Sequence, residues 1–442
     1  MEDNLTQLTE WVEGAAEFTQ DARKLSERDR DYYDNKQLTT EEKNELAKRG
    51  QPEVISNRIK RKIDFLTGIE KQQRTDPKAF PRNPGDEEAA SAASDSLRFV
   101  EEKTKFDSIA SSVWENMLIE GFGGCEIGIR FKGNEPDIFI KHVPWDRLFY
   151  DPYSFRKDFE DARYLGGEMW YDYDDIVRKY PGKKDALDAS MDTASTADTY
   201  DDKPKHSVWA DGKRKRVRVA TIWYKKGAEW YWCIFTKGGK LKGGKSPYRT
   251  QDGESLRGII MRSSYVDRDN NRYGVVREFI SPQDEINKRR SKSLHLLNMR
   301  QVVTDDSTFQ DTRKVKSELA KPDGVIKLGN PQGRFEILNN NDQIGGHFEL
   351  LQESKNEIDL MGPNASMTGK SEKSAESGRA IQAQQQGGLI ELATLLDGYR
   401  MFKQEVYETI WHLIRQFWTE EKWVRVTDQE NNVKFVGLNQ PV

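Results

Sequence analysis

Cysteine is scarce in this chain: Cys125 and Cys233 are the only two in 442 residues. Each lies in an apolar, strand-like run, the setting of a buried reduced thiol, whereas a disulfide framework or a zinc centre needs more partners at set spacings. The five histidines, His142, His206, His295, His347 and His412, are scattered and form no metal-spaced pair. Asp198, Asp201 and Asp202 lack the alternate spacing and the glycine of a calcium loop. No cofactor or metal is expected. No H-E-x-x-H or G-x-S-x-G string or paired catalytic carboxylate pattern occurs, so enzymatic chemistry is not expected either. No run approaches the roughly 18 apolar residues of a membrane span. The opening stretch MEDNLTQLTEWVEG is acidic and amphipathic, without a basic or apolar leader, so neither a signal peptide nor a membrane partner is expected. The net charge of −4 excludes a general polybasic nucleic-acid coat and leaves room only for local basic patches.

What is present is an unusual mixture. Hydrophobic residues make up 35% and charged residues 33%, yet there are 11 Trp, 16 Tyr and 19 Phe, too many large aromatics for general disorder. A chain of 442 residues exceeds one ordinary core, so two or more domains are expected. Rich in both charge and aromatics, it suits an extended protein partly buried against copies of itself.

The organising stretch is 371–418. It begins polar and small (SEKSAESGRAIQAQQQGG), then turns apolar at Leu389, Leu392, Leu396, Tyr399, Phe402, Val406, Ile410, Leu413 and Phe417, a helical stripe. Gly387 and Gly388 interrupt it at a predicted hinge. Upstream, Leu5, Leu8, Trp11 and Val12 share a helical face. Thr39 with Glu41 and Glu42 marks a helix start, and Gly50 with Pro52 its stop. A helix over 57–73 carries Ile59, Ile63, Leu66 and Ile69, and PKAFPRNPGDEE is a connector. One long helix is predicted over 87–120. A hairpin follows, Cys125, Ile127, Ile129 and Phe131 alternating before 137–142 returns across Gly133 and Asn134. Strands at 164–170, 216–224 and 229–236 flank a short helix at 173–180 and a loop at 185–207. Ser281, Pro282 and Asp284 form an N-cap signal for a helix over 281–303. Short strands at 324–328 and 334–338, a helix over 348–361, and strands at 423–426 and 433–436 complete the reading. The fold class is α+β.

One string demands caution. Residues 239–246 satisfy the P-loop pattern G-x-x-x-x-G-K-S, but Pro247 follows and no apolar helical period comes after it. A phosphate cradle needs the glycine turn to open into a helix, so a basic hairpin loop is expected instead. A basic cluster, Lys288, Arg289, Arg290 and Lys292, admits two readings, a solvated face or a phosphate- or subunit-facing surface. Lys370, Lys373 and Arg379 sit in the polar segment without interleaved aromatics, which suits a weak, sequence-blind, sliding contact.

Four stretches together resemble the portal proteins of tailed phages, in particular the short-tailed type: RDRDYYDNKQLTTEEKNELAKRGQPEVISNRIKRKIDFLTGIEKQQRTDPKAFPR, RLFYDPYSFRKDFEDARY, PQDEINKRRSKSLHLLN and SGRAIQAQQQGG. The resemblance implies a dodecameric homo-oligomeric ring at one capsid vertex of the virion, assembled in the host cytoplasm. It implies partners in double-stranded DNA, bound without sequence specificity, a terminase, a tail adaptor, and capsid and scaffolding proteins. By position it assigns an antiparallel-sheet wing to 1–280, stem helices to 281–303 and 347–361, and a small α/β clip to 304–346. A tunnel loop and hinge fall at 362–388, and a long wing helix with terminal strands at 389–442. Arg313, Lys314, Lys316 and Glu318 become clip candidates for terminase or adaptor. Lys370, Lys373 and Arg379 become tunnel-loop candidates. The crown that usually follows the long helix is expected to be absent or truncated. The competing readings are a head-tail connector without a translocation role and a P-loop ATPase.

Overall fold

The computed structural model describes residues 4–81, 83–133, 135–193, 208–298, 301–304, 312–319, 325–326, 335–338, 341–360, 392–427 and 433–438. It is an α+β protein in which one large core joins most helices to a three-stranded sheet, and separate smaller clusters pack the larger sheet.

The chain opens with α1 (Leu5–Phe18), α2 (Gln20–Tyr33), α3 (Thr40–Lys48) and α4 (Ile59–Gln72). Thr39 and Glu42 close a reciprocal capping box on α3, satisfying two orphan N–H groups as the spacing predicts. On α4, Ile59, Ile63, Leu66 and Ile69 are all buried. The long helix expected over 87–120 is two: α5 (Glu87–Thr104) and α6 (Phe106–Ile119). They break at Lys105, whose φ of 55° is left-handed, because continuing straight would carry the apolar face of Phe106, Ala110 and Val113 away from the core.

Next come β1 (Phe122–Lys132), β2 (Glu135–Val143), β3 (Leu148–Tyr150) and β4 (Tyr164–Asp172). β1 and β2 pair antiparallel in the register Cys125 to His142 and Ile127 to Ile140, as the alternation predicts. After α7 (Tyr173–Lys179), the start of the expected surface loop is helical, α8 (Lys184–Met191); Leu187 anchors it in a small apolar cluster with Val217 and Leu241. Its later part, 194–207, lies outside the described residues. Then follow β5 (Ala210–Asp211), β6 (Arg216–Lys226), β7 (Glu229–Thr236), β8 (Gly239–Lys245), β9 (Ile259–Ser263), β10 (Tyr265–Val266) and β11 (Arg272–Tyr273). β3, β4, β6, β7 and β8 lie side by side with β5 on β6, whereas β9 joins β1 and β2 in a second sheet. The residues expected to form a basic hairpin loop therefore make a strand, β8.

The remaining elements are α9 (Val276–Asn298), β12 (Gln301–Thr304), α10 (Thr312–Leu319), β13 (Phe335–Leu338), α11 (Asn341–Leu360), α12 (Ala393–Phe417), β14 (Lys422–Thr427) and β15 (Val433–Leu438). The helix predicted over 281–303 is shifted. It begins at Val276 and ends at Asn298, and Val303 is in β12, paired with Glu336 of β13. Burial of Val276, Phe279 and Ile280 extends the helix backwards past the capping signal, leaving Pro282 inside it at the cost of one backbone bond. β13 pairs with β12 rather than with 324–328, of which Val325 and the next residue are described and are not strand. β14 and β15 form the expected terminal hairpin.

The apolar stripe of the long helix is the spine of the core. Leu396, Tyr399, Phe402, Val406, Ile410 and Leu413 of α12 are buried against α5, α6 and the β1–β2–β9 sheet. Each such side chain removed from water contributes about 1.5–3 kcal/mol. Ring pairs lock the register: Trp114 meets Tyr399 at 4.9 Å and Phe106 meets Tyr407 at 5.4 Å between centroids. Leu389 and the glycine hinge at Gly387 and Gly388 lie outside the described residues.

Candidate functional site

The stretch from 276 to 360 is organised as helix, small α/β unit, returning helix. α9 and α11 pack against each other. The Arg58 backbone N–H donates to Gln283 Oε1 at 3.0 Å while its guanidinium pairs with Asp359 at 2.9 Å. The last turn of α11 therefore lies beside the first half of α9, and the two helices run antiparallel. Lys62 Nζ donates to the Asp359 carbonyl at 3.1 Å, so two cations meet the C-terminal end of α11, where the helix dipole favours them.

A buried polar seam ties α9 to the segment before α4. Asn287 Oδ1 accepts from the Ser56 N–H at 3.0 Å, and its amide donates to Gln37 at 2.7 Å. Gln283 donates to the Ser56 carbonyl at 2.9 Å, and Ser291 Oγ to that of Pro52 at 2.7 Å. Satisfied buried networks of this kind fix one arrangement.

The outer side of α9 forms, with α2 and the start of α11, an open groove of about 730 Å³. Lys288, Arg289 and Lys292 line it, together with Arg28 and His347. Arg289 is held by Glu285 one turn earlier. Among the described residues Lys288, Arg290 and Lys292 close no ion pair. Arg290 does not line the groove; at about 100° per residue it points roughly 200° away from Lys288. The four-residue cluster is therefore split by the helix into three groove residues and one outlier. Burial and the nearby Lys292 and Arg289 charges hold the His347 imidazole below its ordinary range, so it is neutral near pH 7, and its Nδ1 has no partner. At the groove floor, Asp29 is buried beside Arg277 at 2.9 Å; burial outweighs that cation and pushes the carboxyl up to about 6. Two unpaired ammonium groups and a neutral imidazole suit a carboxylate or phosphate presented by another molecule. Arg28, Asp29 and His347 come from other elements, and no local spacing could have joined them to the cluster on α9.

Large apolar side chains remain exposed on the helix pair, Leu294 and Leu297 on α9 and Phe348 and Leu350 on α11. Of the clip candidates, Arg313 and Lys314 are exposed on α10 and Glu318 is half-buried, with Lys316 on the same helix. Lys370, Lys373 and Arg379 lie outside the described residues. The P-loop string is excluded by its geometry: Gly239–Lys245 is strand β8, Lys245 pairs with Glu229 at 3.0 Å, and the buried Ser246 hydroxyl donates to the Leu256 carbonyl at 2.6 Å. Among the described residues, no helix follows the string before α9, so none opens where a phosphate would need its N-terminus. Cys125 and Cys233 are both buried and form no disulfide, and burial pushes the Cys125 thiol far above its ordinary range.

Comparison with known proteins decides the family. The model of the phage P22-like portal protein family matches residues 9–442. The chain belongs to the P22-like portal protein family. It is also 19% identical over 422 residues to the portal protein of Helicobacter pylori bacteriophage KHP30, a match that covers 92% of this chain and 66% of that protein. The chain thus spans a little under two thirds of the length of that relative. Within this portal-family chain no described helix is long and apolar enough to cross a membrane.

Proposed function

We propose that this chain is the subunit of a portal ring, a channel at one capsid vertex through which double-stranded DNA is packaged and later ejected. The observation that carries the reading is the antiparallel α9–α11 pair bearing a small α/β unit between its helices, in a chain of the portal family. In this reading α9 and α11 are the stem, and β12, α10 and β13 are the clip that docks terminase and tail adaptor. Residues 362–388 form the tunnel loop, and the sheets with α1–α8 and α12 form the wing. The exposed apolar side chains on the helix pair and the split basic groove support packing against neighbouring copies. A head-to-tail contact whose rotation closes generates a ring, and the family resemblance suggests twelve subunits. The subunit performs no chemistry itself; a separate terminase supplies ATP hydrolysis.

Imaging of the purified chain by electron microscopy tests the assembly, with rings around a central channel expected and monomers alone at high concentration overturning it. A packaging assay with residues 371–379 shortened separates a portal from a static head-tail connector. Rings that form but package poorly or leak DNA support the portal, and normal packaging overturns the tunnel-loop assignment.

A further inference from the structure

Between the two sheets of the N-terminal region lies a cleft of about 550 Å³, within the size range of binding pockets. It shares no lining residue with the α9 groove. The β1–β2 hairpin is two-faced. Cys125 and Ile127 are buried in the main core with Ile129 packed against it, while Glu126 and Arg130 on β1, with Phe139 and Lys141 on β2, line the cleft, whose edge Ile127 and Ile129 also reach. Opposite them, β6 and β7 present Trp223 and Trp232. The rings of Trp223, Trp232 and Tyr248 form a stacked series, with centroids 6.2 and 5.9 Å from that of Trp223. This is a rigid aromatic wall whose ordering cost folding has already met.

Two polar groups of this cleft lack partners. The Trp223 side chain is buried and its Nε1–H has no acceptor. Glu126 stands directly across the strand pair from Lys141, yet among the described residues no hydrogen bond or ion pair closes on its carboxylate. Burial raises its pKa despite the Lys141, Lys179 and Arg130 charges around it. The half-buried Glu126 carboxylate lines the cleft and can accept from a ligand N–H, whereas the Trp223 Nε1–H is sealed from it.

The rim carries the opposite charge to the floor. Arg130, Lys141, Lys179 and Lys242 have exposed side chains at the cleft. Three are held over aromatic faces: Arg130 over Phe139 at 5.0 Å, Lys179 over Tyr171 at 5.3 Å and Lys242 over Trp232 at 5.7 Å. Four cations around an aromatic cavity select an anionic partner. The half-buried carboxylate disfavours a polyphosphate strand, which would bring like charge to Glu126.

We propose that this cleft is a docking site for an acidic peptide segment that inserts one bulky apolar side chain against Trp223, Trp232 and Tyr248 and sets its carboxylates on the cationic rim.

The test uses the intact chain and a fluorescein-labelled synthetic peptide with a central Trp-Leu pair flanked by Asp and Glu. Fluorescence anisotropy is expected to show saturable binding that weakens as salt is raised. Lys141→Glu combined with Lys179→Glu changes two exposed residues, leaves the melting temperature unchanged, and is expected to weaken binding at least about tenfold, roughly 1.4 kcal/mol. Trp232→Ala removes a half-buried ring of the wall, and is expected to weaken binding severalfold without altering the salt slope. Two results would overturn the assignment. One is absence of saturable binding, or binding unaffected by the charge reversal. The other is a labelled oligothymidylate binding at the same residues more tightly than the peptide, which would make the cleft a single-stranded nucleic-acid site.

Discussion

The phenol of Tyr399, on α12, donates to a carboxylate oxygen of Glu70, on α4, at 3.1 Å. Glu70 is buried; its other oxygen accepts from Ser111 Oγ at 2.5 Å, and Arg74 approaches at 3.4 Å. The long helix is thus fastened to the N-terminal helices by a polar bond inside an apolar interface. Tyr399→Phe keeps the ring packing on Trp114 but leaves the carboxylate short of one donor. A loss of about 1–3 kcal/mol in unfolding free energy is expected by urea titration, and an unchanged midpoint would show that the bond contributes nothing net.

A second fastening sets a pH dependence. Tyr407, also on α12, donates to Glu101 on α5 at 2.6 Å. Burial, reinforced by the nearby Asp107 and Asp76 charges, outweighs this donor and the Lys403 charge, so that the Glu101 carboxyl is pushed up from 4.5 to about 7. A carboxyl whose pKa is higher folded than unfolded binds its proton more tightly in the native state. Its contribution to stability is therefore present at acidic pH and lost as pH rises from about 4.5 through about 7. Melting temperatures are expected to fall between about pH 5 and about pH 8, and Glu101→Gln, which retains an acceptor for Tyr407, should flatten that slope. An identical slope in the variant would exclude Glu101 as its source.

Gly121 closes the turn between α6 and β1 with a φ of 97°, and a Cβ there would come within 2.2 Å of the Tyr273 backbone. Gly121→Ala combines a disfavoured backbone with a clash against main chain that has no rotamer to yield. A loss of about 3 kcal/mol or more is expected, seen as a drop in urea midpoint or in soluble yield.

Lys245→Ala separates the P-loop string from a P-loop. The lysine pairs with Glu229 at 3.0 Å at a half-exposed strand end, so its removal is expected to cost about 0.5 kcal/mol or less. A fluorescent ATP analogue is expected to show no saturable binding before or after the change, and binding lost on substitution would reinstate the nucleotide reading.

The split of the basic cluster is testable on assembled particles. Lys288→Glu with Lys292→Glu reverses two groove charges without touching the core and is expected to reduce ring yield, more so at low salt. Arg290→Glu, outside the groove, is the control and is expected to change ring yield less. Equal behaviour of the two would return the whole cluster to a solvated face.

Much of the architecture was written locally. The capping box at Thr39 and Glu42, the alternation in β1 and the stripe on α12 each depend on residues within one or two turns of each other, so periodicity exposes them. What local signals could not decide were competitions with burial. Lys105 turns left-handed to keep the α6 face in the core, and α9 overruns its cap signal because Val276, Phe279 and Ile280 have a core to enter. The groove joins residues near 28, 288 and 347, and the cleft joins Glu126 and Lys141 to Trp223 and Trp232. By itself the sequence determined the α+β class, the portal resemblance and the identity of most elements, since these follow from nearest-neighbour geometry. Only the tertiary structure decided which faces meet and which polar groups are left unpaired, because those depend on packing between segments far apart in the chain.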